Sequence, residues 1–170
     1  TQQRVLDCRE GRVLFSGGYG SGKTRIGAEA STILSIENPG CASIVVSPTN
    51  QMLTRTTRLA LREALPRELI RRERLSDRAI DLINGSTIYY GSADNPGSLE
   101  GTNLAWAWID EASLVTKEAS NIVNGRVRVG DRPQVWKTFT PKGRNWCWEE
   151  YERDATGDES DPMHPLYRVK

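Results

Sequence analysis

The chain has 170 residues, 37% apolar and 26% charged, with 23 basic against 22 acidic side chains and a formal net charge of +1. That length suits one domain with a sizeable core, no apolar run approaches the roughly 18 residues of a membrane span, and near-neutrality gives no global attraction to a polyanion, so any nucleic-acid surface must come from local clustering. Cys8, Cys41 and Cys147 are scattered without CxxC spacing, which argues against a disulfide framework or a zinc site and for a reducing compartment.

The start, Thr1-Gln2-Gln3-Arg4, has no initiator Met and no apolar signal core, the expectation for a segment of a longer chain. Arg12 to Ser16 reads as a strand, Gly17 to Gly22 as a glycine-rich loop, and Lys23 to about Ile36 as a helix ended by Asn38-Pro39-Gly40. Ser43 to Ser47 is a second strand, followed by a helical stretch from about Gln51 to Ala64 and a charged segment from Pro66 to Arg78. Ala79 to Ile83 and Thr87 to Tyr90, joined by Asn84-Gly85-Ser86, form a predicted hairpin. After a loop from Gly91 to Asn103 come a continuous apolar strand, Leu104 to Ile109, a short helix from Thr116 to about Val123, and a strand from Gln134 to Thr140 closed by Pro141-Lys142-Gly143. Asn145 to Ala155 reads as helical, and Leu166 begins one more strand after an acidic, turn-rich stretch. Strands alternating with helices and no internal repeat predict an α/β domain, a mostly parallel central sheet flanked by helices with a β-hairpin insertion.

Two junctions in this pattern carry chemistry. Gly17-Gly18-Tyr19-Gly20-Ser21-Gly22-Lys23-Thr24 matches GxxxxGK[ST] between a predicted strand and a predicted helix, the context that defines a P-loop. Glycines turn successive backbone N–H groups toward one anion, the helix start adds partial positive charge, Lys23 reaches the terminal phosphates of ATP, and Thr24 offers a hydroxyl to Mg²⁺. The second junction is Trp106-Ala107-Trp108-Ile109-Asp110-Glu111, an apolar strand ending in two acids at the strand end where α/β ligands bind. There Asp110 would hold the hydration shell of the magnesium, usually through water, and Glu111 would act as general base on the attacking water. Read in isolation, such an acidic pair is also how a solvated helix begins.

In order, SGGYGSGKT, VVSPTNQML, INGSTIYYGSADNPGSLEGTN, WAWIDEA and TFTPKGRNW resemble the ATPase domain of bacteriophage large terminases, over nearly the whole chain. The resemblance implies a P-loop fold of the ASCE, RecA-like type. Residues 1–170 would be a single ATPase domain, with an RNase H-like nuclease domain outside this segment and no DNA cleavage by the segment itself. It implies ATP hydrolysis, with ATP and Mg²⁺ as cofactors, powering translocation of double-stranded DNA into a procapsid. Partners would be DNA, further copies in a ring, a portal and a small terminase subunit, with no membrane, in the cytoplasm of an infected bacterium. Gln2 or Gln3 resembles the upstream glutamine that contacts adenine, although a frayed terminus reads equally well. Thr138-Phe139-Thr140 resembles the motif that couples hydrolysis to movement; a threonine capping a strand before a proline turn is the other reading.

The chain departs from the family pattern at Tyr19, where many members carry arginine, and at Glu100, where several do. The cation expected on the transferred phosphoryl group is then sought among Arg126, Arg128 and Arg132, acting within the chain or from a neighbouring subunit, or else these are solvated surface arginines. Arg55, Arg58, Arg62, Arg67, Arg71, Arg72, Arg74 and Arg78 form the densest basic stretch. It would suit a phosphate backbone read without regard to base sequence, or a solvated helix face with intrahelical pairs such as Glu68 with Arg72. Other readings of the P-loop are a different nucleic-acid translocase or helicase, a small-molecule kinase whose acceptor replaces water, or a module that binds ATP to organise an assembly.

Overall fold

Strands that are apolar on both faces have no side to give to water, so they belong in the middle of a sheet covered above and below. Val13-Leu14-Phe15, Ile44-Val45-Val46 and Trp106 to Ile109 are such strands, each residue being buried. The computed structural model, which describes residues 6–143, 145–152 and 166–168, places each of them inside the sheet with a strand on either side. Strands β1 (Arg12–Ser16), β2 (Ala42–Ser47), β5 (Thr87–Ser92), β6 (Trp106–Ile109) and β7 (Gln134–Phe139) are mutually parallel. Strands β3 (Ile70–Arg74) and β4 (Ala79–Leu82) extend the sheet antiparallel at one edge and β8 (Leu166–Arg168) at the other, in the order β3-β4-β5-β2-β6-β7-β1-β8.

One face is covered by helix α1 (Lys23–Glu37) and by α2, which runs Asn50–Met52, a π-helical stretch Leu53–Thr57, and Arg58–Ala64. Ile26, Ala30 and Leu34 of α1 and Leu53 and Leu61 of α2 pack there on Trp106, Trp108 and Trp136. On the other face α3 (Lys117–Arg126) brings Ala119 and Val123, with Cys147, onto Leu14, Ala107, Ile109 and Phe139. Each enclosed indole removes roughly 200 Å² from water, worth about 5 kcal/mol before the entropy of ordering is subtracted.

Asn38 stops α1, its side-chain amide donating to the Leu34 carbonyl oxygen at 2.9 Å, and Gly40 then takes a positive φ of 72°. The hairpin turn forms as the Asn-Gly pair predicts, with Gly85 at φ 84° and the Asn84 side chain accepting from the Ser86 N–H at 3.1 Å. The hairpin joins the main sheet through β5 on β2, and β3 pairs the free edge of β4, so the expected insertion is the inner part of a three-stranded meander. The charged stretch after Pro66 therefore contains a strand, and the intrahelical pairing of Glu68 with Arg72 has no helix to form on. Arg72 and Arg74 instead both bond Asp81 across the strands, at 2.7 Å and 3.0 Å, and hold its carboxyl well below the usual range.

Lys137 is an exception in the middle of β7. It is fully buried on the α3 face, with its Nζ 3.7 Å from Glu150 Oε1 and 5.1 Å from the ring centre of Trp146. Burial lowers its pKa from 10.5 to about 8, the Glu150 charge opposing the shift. The unfolded chain therefore binds this proton more tightly than the folded one, so the contribution of Lys137 to stability rises with pH between about 8 and 10.5. We expect the stability difference between the parent and Lys137→Met, from urea midpoints, to shift in the parent's favour across that window; a pH-independent difference would contradict the assignment.

Candidate active site

The glycine loop is tied to β7 at its start and turns on itself further along. The Gly17 N–H donates to the Phe139 carbonyl oxygen at 3.2 Å, and the Ser21 N–H to that of Gly18 at 3.3 Å. A Cβ on Gly17 would lie 2.5 Å from Ser21 Oγ, and Gly20 and Gly22 adopt φ of 73° and 82°, so the turn needs these glycines. Helix α1 follows from Gly22 with no side-chain cap and no acid in its first turn. Its first N–H groups and the positive end of its dipole are thus left to an anion. Lys23 is 6% exposed, with its Nζ donating to the Gly18 carbonyl oxygen at 2.9 Å and lying 3.9 Å from Glu111 Oε1. Tyr19 projects outward, 83% exposed.

Because β1, β6 and β7 are parallel neighbours, their carboxyl ends meet at this loop. Asp110, which follows β6, is 2% exposed and receives the Thr138 hydroxyl on Oδ1 at 2.8 Å and the Thr57 hydroxyl on Oδ2 at 2.8 Å. Thr24 Oγ1 lies 3.4 Å and the Glu111 N–H 3.1 Å from Oδ1. Burial pushes the Asp110 carboxyl upward, against the hydroxyl bonds of Thr138 and Thr57 and with some help from the Glu111 charge. Glu111 sits at φ 46°, an uncommon conformation that costs on the order of 1–3 kcal/mol and swings its side chain toward the loop. There it accepts from the Thr140 hydroxyl at 3.1 Å and the Thr140 N–H at 3.3 Å.

Among the described residues no group of three or more His, Cys, Asp or Glu is arranged to hold a metal. Thr24 and Asp110 instead present two hard oxygens 3.4 Å apart, the second belonging to a buried carboxylate whose side-chain partners are hydroxyls. That donor set fits Mg²⁺, which keeps several waters and takes substrate phosphate oxygens as further ligands.

Of the residues singled out in the sequence, Lys23, Thr24, Asp110, Glu111, Thr138 and Thr140 thus converge, and Gly18, Tyr19, Gly20, Ser21 and Gly22 frame them. Gln2 and Gln3 lie outside the described residues. Arg126, Arg128 and Arg132 are elsewhere. Residues 126 and 128 bond the backbone of Leu104, which is six residues, or roughly 20 Å at 3.3 Å per residue, before Asp110. Arg126 donates to the Leu99 and Thr102 carbonyl oxygens, Arg128 donates to Asn103 Oδ1 at 2.6 Å, and Arg132 pairs with Glu37 at the far end of α1. None of the three reaches the glycine loop of its own chain.

The basic stretch is also divided. Arg58 and Arg62 pair with Glu73, at 2.6 Å and 3.4 Å, and Arg72 and Arg74 with Asp81, while Arg55, Arg67 and Arg71 stay exposed without an ion pair among the described residues.

Four contributors have no role assigned from the sequence. Thr57 and Ser47 reach Asp110 as a hydroxyl pair. The Trp108 indole N–H donates to Thr138 Oγ1 at 3.0 Å, so this core residue also supports the site. Gly27 makes room for it, since a Cβ there would stand 2.2 Å from the indole. A glycine inside a helix that follows a P-loop is the one signal the sequence offered for any of these.

A family model described as terminase large subunit, T4likevirus-type, N-terminal, matches residues 14–169. No curated protein matches the chain. Among solved structures, the large terminase of a thermophilic bacteriophage superposes with a TM-score of 0.79 at 19% identity, covering 90% of this chain and 42% of that one. The same protein in complex with ATP-γ-S gives 0.68 at 18%, covering 90% and 41%. The large terminase ATPase domain of Thermus phage P74-26 gives 0.69 at 19%, covering 99% of this chain and 76% of that domain. At such identities the likeness is one of fold, and this chain spans less than half of the first of these proteins.

Proposed function

The chain belongs to the terminase large-subunit family, to the N-terminal part of its T4-like-virus type, and from that premise we propose that it is the ATP-hydrolysing motor that drives double-stranded DNA into a viral procapsid. The observation that carries this reading is the convergence of Lys23, Thr24, Asp110, Glu111, Thr138 and Thr140 at the carboxyl ends of neighbouring parallel strands. The thermophilic-phage terminase in complex with ATP-γ-S supports it from a related fold.

In this reading the backbone N–H groups around Gly20 and the start of α1 hold the phosphates of ATP. Lys23 exchanges the Gly18 carbonyl oxygen for a phosphate oxygen. Thr24 and Asp110 would hold Mg²⁺, which when bound would supply charge neutralisation for the phosphates. Glu111, gripped at both oxygens by Thr140, orients the attacking water and takes its proton. Thr138 and Thr140 on one strand end contact both acids, so a change at either acid is felt along β7.

Arg126 and Arg128 would serve the phosphoryl group from a neighbouring subunit in a ring, a geometry their distance from their own loop favours. Portal, small subunit, a nuclease domain outside this segment, and action in the cytoplasm of an infected bacterium complete the proposal. No described helix is long and apolar enough to cross a membrane.

Phosphate release from ATP tests the reading. It is expected to require Mg²⁺, to rise with linear double-stranded DNA, and to increase per chain with protein concentration as subunits supply each other's arginine. Transfer of phosphate to a small acceptor without release would replace the motor with a kinase.

A further inference from the structure

Asp110 is approached by three threonines. Thr24 and Thr138 belong to recognisable motifs; Thr57 does not. Thr57 is 1% exposed, and it is the one side chain on Asp110 Oδ2 among the described residues. Its Oγ1 is also 2.5 Å from Ser47 Oγ, in a residue with no exposed surface. An ionised carboxylate can only accept, so the Thr57 proton goes to Asp110 and Ser47 must donate to Thr57. The result is a directed chain, Ser47 to Thr57 to Asp110, in a dry setting where each bond strengthens the next.

The π-helical stretch of α2 is what brings Thr57 there. The Arg58 N–H bonds the Leu53 carbonyl oxygen, one residue further back than an α-helix would use. That extra residue turns the following face by about 100°. Thr57 then points into the sheet, while its neighbour Arg58 clamps Glu73 at 2.6 Å on the meander. π-Turns inside helices recur at functional sites.

We propose that Thr57 is a positioning residue for Asp110: by fixing Oδ2 it keeps Oδ1 beside Thr24, so that the two oxygens face one divalent cation. This rests on reading Asp110 as a metal ligand. Thr24 supplies the second oxygen at 3.4 Å; with Oδ2 unheld, the bonds from Thr138 and the Glu111 N–H anchor Oδ1 alone, and the carboxylate is free to pivot about it and loosen that pairing. Partners that orient a metal ligand typically change metal affinity about 10–100-fold when removed.

The test is Mn²⁺ binding followed by electron paramagnetic resonance in the presence of ADP, alongside ADP affinity in EDTA, for the parent, Thr57→Val, Thr57→Ser, Ser47→Ala and Asp110→Asn. Thr57→Val is expected to weaken Mn²⁺ about tenfold, Thr57→Ser to restore parental affinity, and Ser47→Ala to fall between, with ADP affinity in EDTA unchanged in these three variants. Parental Mn²⁺ affinity in Thr57→Val, with Asp110→Asn still impaired, overturns the role of Thr57 and leaves that of Asp110. Parental affinity in Asp110→Asn overturns the metal reading itself. A parallel loss of metal-free ADP binding in Thr57→Val would show a collapsed site and overturn the proposal as well. If Thr57→Val does not fold, Ser47→Ala decides, parental Mn²⁺ affinity counting against.

Discussion

Glu111→Gln is expected to lower the rate of ATP hydrolysis by about 10²–10⁴-fold, the usual contribution of a positioned general base, while ATP affinity stays within a factor of about three. The substitution is nearly isosteric. The amide oxygen can still accept from the Thr140 hydroxyl, whereas the amide nitrogen that replaces Oε2 cannot accept from the Thr140 N–H at 3.3 Å. Lys23 keeps its bond to the Gly18 carbonyl oxygen, so the loop retains its shape. The loss should therefore appear in single-turnover phosphate release and not in equilibrium nucleotide binding. Turnover equal to the parent's would remove Glu111 from the role of base, and lost binding would mean that it holds the loop instead.

Trp108→Ala should cost about 3–5 kcal/mol of stability, the range for emptying a buried aromatic site, because Trp108 has no exposed surface and sits between α1 and β7. Gly27 shows how closely the space is filled: the helix backbone passes so near the indole that any Cβ there would collide. Trp108→Phe separates the two duties of the residue. It keeps most of the apolar volume but leaves Thr138 Oγ1 without the indole N–H, at a cost of about 1–3 kcal/mol for a buried group left unpaired. We expect Trp108→Phe to fold and to lose hydrolysis, because the Thr138 bond to Asp110 is no longer supported from behind. Denaturant midpoints for both variants, with steady-state rates for the phenylalanine form, check this. An unaltered rate in Trp108→Phe would confine Trp108 to packing.

Much of the site was legible in the sequence because the chemistry of the glycine loop is local. Gly17 to Thr24 dictate their own backbone angles, and a helix start following a strand supplies the anion-binding N–H groups whatever the rest of the chain does. The same holds for Trp106 to Asp110, since a strand apolar on both faces must be central, and an acid at its end must then lie on the ligand-binding side of the sheet. The turn at Gly85 and the stop at Asn38 are likewise carried by side chains within a few residues of the feature they make.

What only the tertiary structure decided depends on strand order and register. Thr24 and Asp110 are 86 positions apart and Thr57 and Asp110 are 53 apart, distances at which no periodicity or spacing says which hydroxyl meets which carboxylate. The stretch after Pro66 carries four charges in the five residues Ile70–Arg74 and shows no apolar alternation, yet it is a strand because β4 offers it an unpaired edge. The arginines between β6 and β7 sit near Asp110 in sequence and far from it in space, because each parallel crossover returns the chain to the opposite end of the sheet before the next strand begins.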